Sequence, residues 1–392
     1  MQTVDLQIKL LRLIGIALLC GISLTQANAQ SPKPIPAVLE VPFAPMQVKA
    51  MDKMILAYEL HITNFSRANL VLTGVEVLAG DAGATSLASY RDAEMLKRLV
   101  VITGATDSQE KNVIGGGQRA IVFLMISTDA SSAPSALRHR LFFKPTDAGG
   151  GNKEQTVEGM RVAVQMDKPF VIGAPLRGRW VAANGLSNDT GHRRSIIATD
   201  GAARIAQRFA IDWVKLGDDG LIARNGDLSQ NANYYTYGAE ALAVADGVVA
   251  DIKDGIPENV PQTKARAVPI TLDTIAGNYV LLDIGNSRFA LYAHLQPQSL
   301  KVKVGDKVKL GQTLGLVGNS GNSDLPHLHF HIANTASPLA AEGVPYVFKS
   351  FEMQGALKSN AEIVGSGFKP QPNAAGKRQM EIPIQNAVIV FE

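Results

Sequence analysis

Apolar and polar residues alternate in short stretches along most of this chain, and the alternation predicts strands. Over Met54–Thr63 it places Leu56, Tyr58, Leu60 and Ile62 on one face. Leu70–Leu78, Ala120–Ile126, Leu137–Phe143 and Thr156–Val164 read the same way, with Gly-, Ser- and Asn-rich turns between them. Short strands punctuated like this predict a β-sandwich of the Ig-like kind over 37–168. Ser89–Leu99 reads as a short helix or a ragged strand. Pro169 and Pro175 mark a boundary, Trp180–Arg194 is loop-like, and a second β-rich unit runs over 169–350. Within it Asn278–Ile284 and Arg288–His294 predict a hairpin across Gly285-Asn286-Ser287. Val304–Gly321 is a run of short apolar pieces separated by glycines, which predicts tight turns. The last stretch, 351–392, reads as a tail with some alternation at Ala387–Phe391. The expected fold class is all-β.

The first residues follow a different pattern. Lys9 and Arg12 flank an apolar run from Leu13 to Leu24, and Ala27-Asn28-Ala29 has the small-x-small form of a cleavage site. Residues 1–29 therefore read as a signal peptide cut near Ala29, with 30–36 as an extended linker. The apolar run is shorter than the ~20 residues a spanning helix needs. The mature chain is expected to have no transmembrane segment and to be periplasmic or secreted.

Composition narrows the chemistry. The 392 residues carry 38 Lys+Arg against 35 Asp+Glu, a formal charge of +3, which gives no nucleic-acid footprint. The single cysteine, Cys20, lies in the leader, so neither a disulfide framework nor a thiolate metal cluster is available to the mature chain. Any metal site must draw on carboxylates and on the seven histidines. His61 and His139, on strands of the sandwich, read as exposed strand residues, and the sandwich shows no chemistry of its own. It is expected to position a neighbour or touch a partner. Three other histidines lie in Pro326-His327-Leu328-His329-Phe330-His331, where a strand would put His327, His329 and His331 on one face. Imidazole is a common zinc ligand and the usual general base near neutral pH.

Gly318-Asn319-Ser320-Gly321 followed by Pro326-His327-Leu328-His329-Phe330 resembles the signature of lysostaphin-type (LytM-type) zinc metallopeptidases. Ala243–Val249, then Gly277–Val280 with Leu291–Leu295, then Val304–Gly315 are similar to further pieces of that family in the same order. The resemblance covers about 205–345. It implies one Zn²⁺, held by a His-x-x-x-Asp motif and by the second His of His-x-His, and a peptide substrate in bacterial cell-wall peptidoglycan. Carried over, Asp212 and His329 are metal ligands, and His294 and His327 assist catalysis.

One position departs from the pattern. Four residues before Asp212 stands Arg208, and a guanidinium cannot ligate zinc. Two outcomes are open. In one, another residue completes the site, with His192 as first candidate and His331 as second, although His331 would lie ~7 Å along the strand from His329. In the other, Arg208 pairs with Asp212, the metal is lost, and the protein is an inactive relative that binds the wall or activates another hydrolase. Trp213, Tyr234, Tyr235 and Tyr237 are candidates for a substrate groove, with core packing or a surface loop as the plainer reading. A lipoyl-type carrier would need a lysine at the Asn319–Asp324 turn, where there is none.

Overall fold

The computed structural model describes residues 35–80, 85–129, 133–145, 153–224, 227–358, 361–372 and 374–392. The leader, its cleavage site, Cys20 and most of the linker lie outside the described residues. Pro36–Glu392 form one compact unit.

The N-terminal part is built from two antiparallel sheets. One contains Lys53–Asn64 at its centre, paired with Ala37–Glu40, Met46–Ala50 and Arg119–Asp129, the last of which also pairs with Val100–Ile102. The other is built around Leu70–Ala79 and Ala136–Pro145. Residues at one parity, Tyr58, Leu60 and Ile62 with Val122, Leu124 and Ile126, are buried, as are Leu72, Val75, Val77, Leu141 and Phe143 of the second sheet. The Tyr58 hydroxyl meets His139 Nε2 across the sandwich at 2.9 Å. The ambiguous segment resolves into a helix, Ala93–Leu99, because Asp92 caps it by accepting from the Met95 N–H at 2.8 Å.

Two expectations fail here. His61 and His139 are not exposed; they are 6% and 1% accessible. His139 points into the sandwich interior. Lys53–Asn64 is buried on both faces. On its second face, Glu59 and His61 stand opposite Phe123 and Ile121. That face is covered by Ile196 and Ile205 of the C-terminal half, which pack with Ile121 and Phe123.

The C-terminal half forms a long sheet. Its order is Phe170–Ile172, Tyr346–Ala356, Ala387–Phe391, Gly178–Ala183, Ile211–Lys215, Leu328–Ala333, Phe289–Leu295, Asn278–Asp283, Gly247–Lys253 and Lys307–Val308, with Gly376–Glu381 added beside Tyr346–Ala356. The predicted hairpin forms, and Asn286 and Ser287 both take positive φ of 53°, as a tight two-residue reversal requires. Residues 351–392 are not a tail. Ala387–Phe391 lies between two strands of the main sheet, and Val388, Ile389 and Phe391 are buried. Alternation marked it as a strand; its distant partners, Gly178–Val181 and Glu352–Ala356, leave no local trace.

Candidate metal centre

Three neighbouring strands set up the site. Asp212 stands opposite His329 on one side and Ala183 on the other, and His329 stands opposite Ala293. Register alone thus brings together Asp212, His329, the turn after Ala183 and the strand ending in His294. Phe330 and Leu328, of opposite parity, are buried in the core. Trp213 also faces the core, with ring contacts to Phe348 and Phe391. Tyr234, Tyr235 and Tyr237 spend their hydroxyls on Leu228 O, Asp219 and Glu258, and none of the four aromatic candidates lines the cleft.

His192 arrives from a four-residue helical turn, Gly191–Arg194, capped by Thr190. Its Nε2 is 3.3 Å from Asp212 Oδ2. His329 Nδ1 is 2.9 Å from Asp212 Oδ1, and His327 Nε2 is 3.4 Å from the same oxygen. The His294 and His327 rings lie 4.7 Å apart between centroids. Among the described residues, His192, Asp212 and His329 form the set of three whose donor atoms lie within 4.8 Å of one another.

Hydrogen bonds fix which nitrogen of each ring is free. His192 Nδ1 meets Asn184 O at 3.0 Å, His294 Nδ1 meets Ser320 O at 2.7 Å, and His327 Nδ1 meets Leu325 O at 2.9 Å. A carbonyl only accepts, so each of these Nδ1 atoms carries a proton, which in the neutral ring leaves the lone pair on Nε2. His329 is turned the other way. Its Nε2 meets His331 Nδ1 at 2.9 Å, and its Nδ1 faces Asp212 Oδ1. His331 thus sits behind His329, outside the set of three donor atoms around Asp212.

Protonation states agree with this. Burial pushes His192 down to about 4, against partial opposition from Asp212. Burial likewise holds His294 well below the usual imidazole range. Burial also opposes charge on His327, but the Asp212 carboxylate outweighs it and raises this histidine. For Asp212 itself, burial favours the neutral acid; the surrounding imidazoles overcome it and hold the carboxyl well below its ordinary value. An ionised carboxylate beside a neutral His192 is the kind of donor state a divalent metal requires. The residues present fit zinc: two imidazole nitrogens and one carboxylate oxygen leave a fourth position open.

Arg208 does not pair with Asp212. It is buried and pairs with Glu59, at 2.8 Å, and with Glu342. The residue that sequence reasoning missed is Asn184. Its carbonyl orients His192, its Nδ2 donates to Asp212 Oδ2 at 2.9 Å, and its φ is +46°. An Asn-Gly pair in a polar loop marks a turn and gives no sign of this role. At the other end, Gly277 and Gly321 approach backbone to backbone: a Cβ on Gly321 would lie 2.3 Å from Gly277 N. That contact seats Ser320, whose carbonyl orients His294. The site opens into a cleft of about 800 Å³ whose walls include Gln262, Ile275, Asp324, Ile363 and Asn386.

The His/Asp/His donor set on this all-β fold is one a metal could occupy, and comparison with known proteins gives the family of the C-terminal domain. Residues 233–341 match peptidase family M23, and the C-terminal half carries a domain of this lysostaphin-type family. His294, His327 and His329 fall within the match; His192 and Asp212 precede it. The chain is 34% identical over 95 residues to an uncharacterized metalloprotease of Buchnera aphidicola, covering 24% of this chain and 20% of that one. It is 42% identical over 66 residues to the peptidoglycan DD-endopeptidase ShyA of Vibrio cholerae, covering 17% and 15%. The aligned stretches thus span a fifth or less of these relatives' length. A solved zinc-containing peptidase from Vibrio cholerae is similar over 78% of this chain and 83% of its own, at 15% identity and a TM-score of 0.26.

Proposed function

We propose that the protein is an exported zinc metalloendopeptidase that cleaves peptide bonds of bacterial peptidoglycan. The observation that carries this reading is the convergence of donor atoms from His192, Asp212 and His329 within 4.8 Å, beside two further histidines in an open cleft. In this reading His192 takes the place that Arg208 cannot fill. Zinc, when bound, supplies a Lewis acid that polarises a peptide carbonyl and makes water nucleophilic at neutral pH. His327, raised by Asp212, is suited to taking a proton and returning it to the leaving amine. His294, kept neutral with Nε2 bare, can accept a hydrogen bond and so orient a water. The peptidoglycan substrate is supported by the ShyA relative. Export is supported by the leader, and no helix among the described residues is long and apolar enough to cross a membrane. Residues 37–168 then form the sandwich domain and the peptidase domain begins near 169, the two packed in one compact unit.

The test is zinc content together with digestion of purified peptidoglycan. About one zinc per chain is expected. So is release of soluble peptide fragments that stops with a chelator and resumes on adding zinc. Protein that stays metal-free under saturating zinc, or that leaves peptidoglycan intact when loaded, would sink this reading. The second outcome would favour the wall-binding or activating relative.

A further inference from the structure

The geometry points to the N-terminal sandwich as part of the metal centre: we propose that Glu59 is a positioning residue that, through Arg193, holds His192 in place. This rests on the reading of His192 as a ligand. Glu59 lies at the outward parity of Lys53–Asn64, and its carboxylate meets two arginines of the C-terminal half. Arg193 Nη1 donates to Oε1; Arg208 Nη1 donates to Oε1 at 3.1 Å, and its Nη2 lies 2.8 Å from Oε2. Arg208 is also paired with Glu342. Glu59, Arg193, Arg208 and Glu342 are 5%, 1%, 3% and 2% accessible, a buried quartet with two charges of each sign.

The two arginines occupy telling positions. Arg193 follows His192 in a single helical turn, where successive side chains diverge by about 100°. His192 thus faces the cleft while Arg193 runs into the sandwich. Arg193 Nη2 donates to Tyr58 O at 2.7 Å and Leu124 O at 3.2 Å. The same loop is fastened at its flanks, where Asn188 Nδ2 donates to Phe123 O at 2.7 Å and the Arg194 guanidinium stacks over Phe123 at 4.4 Å. Arg208 begins the approach to the strand bearing Asp212 and also reaches Ala57 O at 3.3 Å. The residue that stands where the family places a ligand is therefore committed to the sandwich, and the substitute ligand sits beside a second arginine committed to the same carboxylate. Buried ion pairs contribute little net stability on average but fix geometry, since removing one partner leaves a charge uncompensated. Here the geometry fixed is that of His192.

The test uses the full chain, with cobalt(II) as a coloured probe and zinc competition for affinity. Glu59→Gln is expected to weaken metal binding by roughly 10- to 100-fold, the range seen when groups supporting a ligand are removed, and to alter the cobalt spectrum as a nitrogen ligand is lost. Arg193→Lys keeps the charge but loses the fork, and serves if Glu59→Gln does not fold; the same direction is expected. Leu60→Val, on the inward face of the same strand, is expected to lower the melting temperature with affinity and spectrum unchanged. Wild-type affinity and spectrum in the folded Glu59 or Arg193 variant would overturn the proposal, as would an equal loss in Leu60→Val. Wild-type binding that is indifferent to His192→Ala would instead overturn the ligand reading on which it rests.

Discussion

His61 and His139 in the N-terminal sandwich and the histidines of the C-terminal half are all largely withdrawn from water, yet their surroundings differ in one respect. His139 has a tyrosine hydroxyl for a partner, and His61 Nδ1 has no hydrogen-bond partner among the described residues. Neither has a carboxylate at hydrogen-bonding distance, and burial pushes both down to about 4. In the C-terminal half three rings lie within 3.4 Å of one carboxylate with His294 beside them, and three of the four rings are oriented by backbone carbonyls. Burial disfavours a charged imidazole in both places. Only in the C-terminal half does a buried anion stand among the rings and complete a donor set that a metal could use.

The largest test of that difference is removal of a ring from each set. His329→Ala is expected to abolish peptidoglycan cleavage and to take zinc from about one per chain toward none. His139→Ala should keep its zinc while losing stability. If both variants keep their metal, the convergence on Asp212 has no chemical meaning. Next, His294→Ala and His327→Ala should each retain zinc and lose about 10²- to 10⁴-fold in kcat, the usual contribution of a positioned acid or base. Loss of zinc in either would move that histidine into the ligand set.

These histidines differ in how plainly the sequence announces them. Strand periodicity put His327 and His329 on one face, and the motifs picked out His294 and Asp212, because each sits in a short stretch of regular backbone. His192 was visible as a candidate and no more, since its approach to Asp212 depends on a loop anchored to the sandwich. His61 was misread for the same cause. Alternation tells one strand face from the other, but cannot tell that the second face is covered by chain 130 residues onward. Asn184 and the strand Ala387–Phe391 depend on partners distant in sequence and leave no periodic trace.

His331 sharpens the comparison within the C-terminal half. It is buried, like His139, and it acts through another ring. Replacing it with Ala removes the hydrogen-bond partner of His329 Nε2, frees that ring to turn, and is expected to weaken zinc binding roughly 10- to 100-fold. Competition against a chelator of known affinity measures it; unchanged affinity would leave His331 a packing residue.

The last effect lies in the sandwich and concerns stability, with no change in metal binding. His139 has a folded pKa of about 4 against an ordinary value of 6.5, so between these values the unfolded chain takes up a proton that the folded chain does not. The stability it supports is complete above about pH 6.5 and is lost progressively as pH falls toward 4, by about 3 kcal/mol at the limit. His139→Gln, which can still meet the Tyr58 hydroxyl, removes that titration. Its melting temperature should start lower at pH 7 and fall less between pH 7 and 5 than that of the wild type, both measured in chelator so that metal loss does not contribute. A variant with the wild-type slope would place the acid sensitivity elsewhere, in His61 or in the rings around Asp212. The contrast between isolated and convergent histidines would then no longer separate the halves in acid.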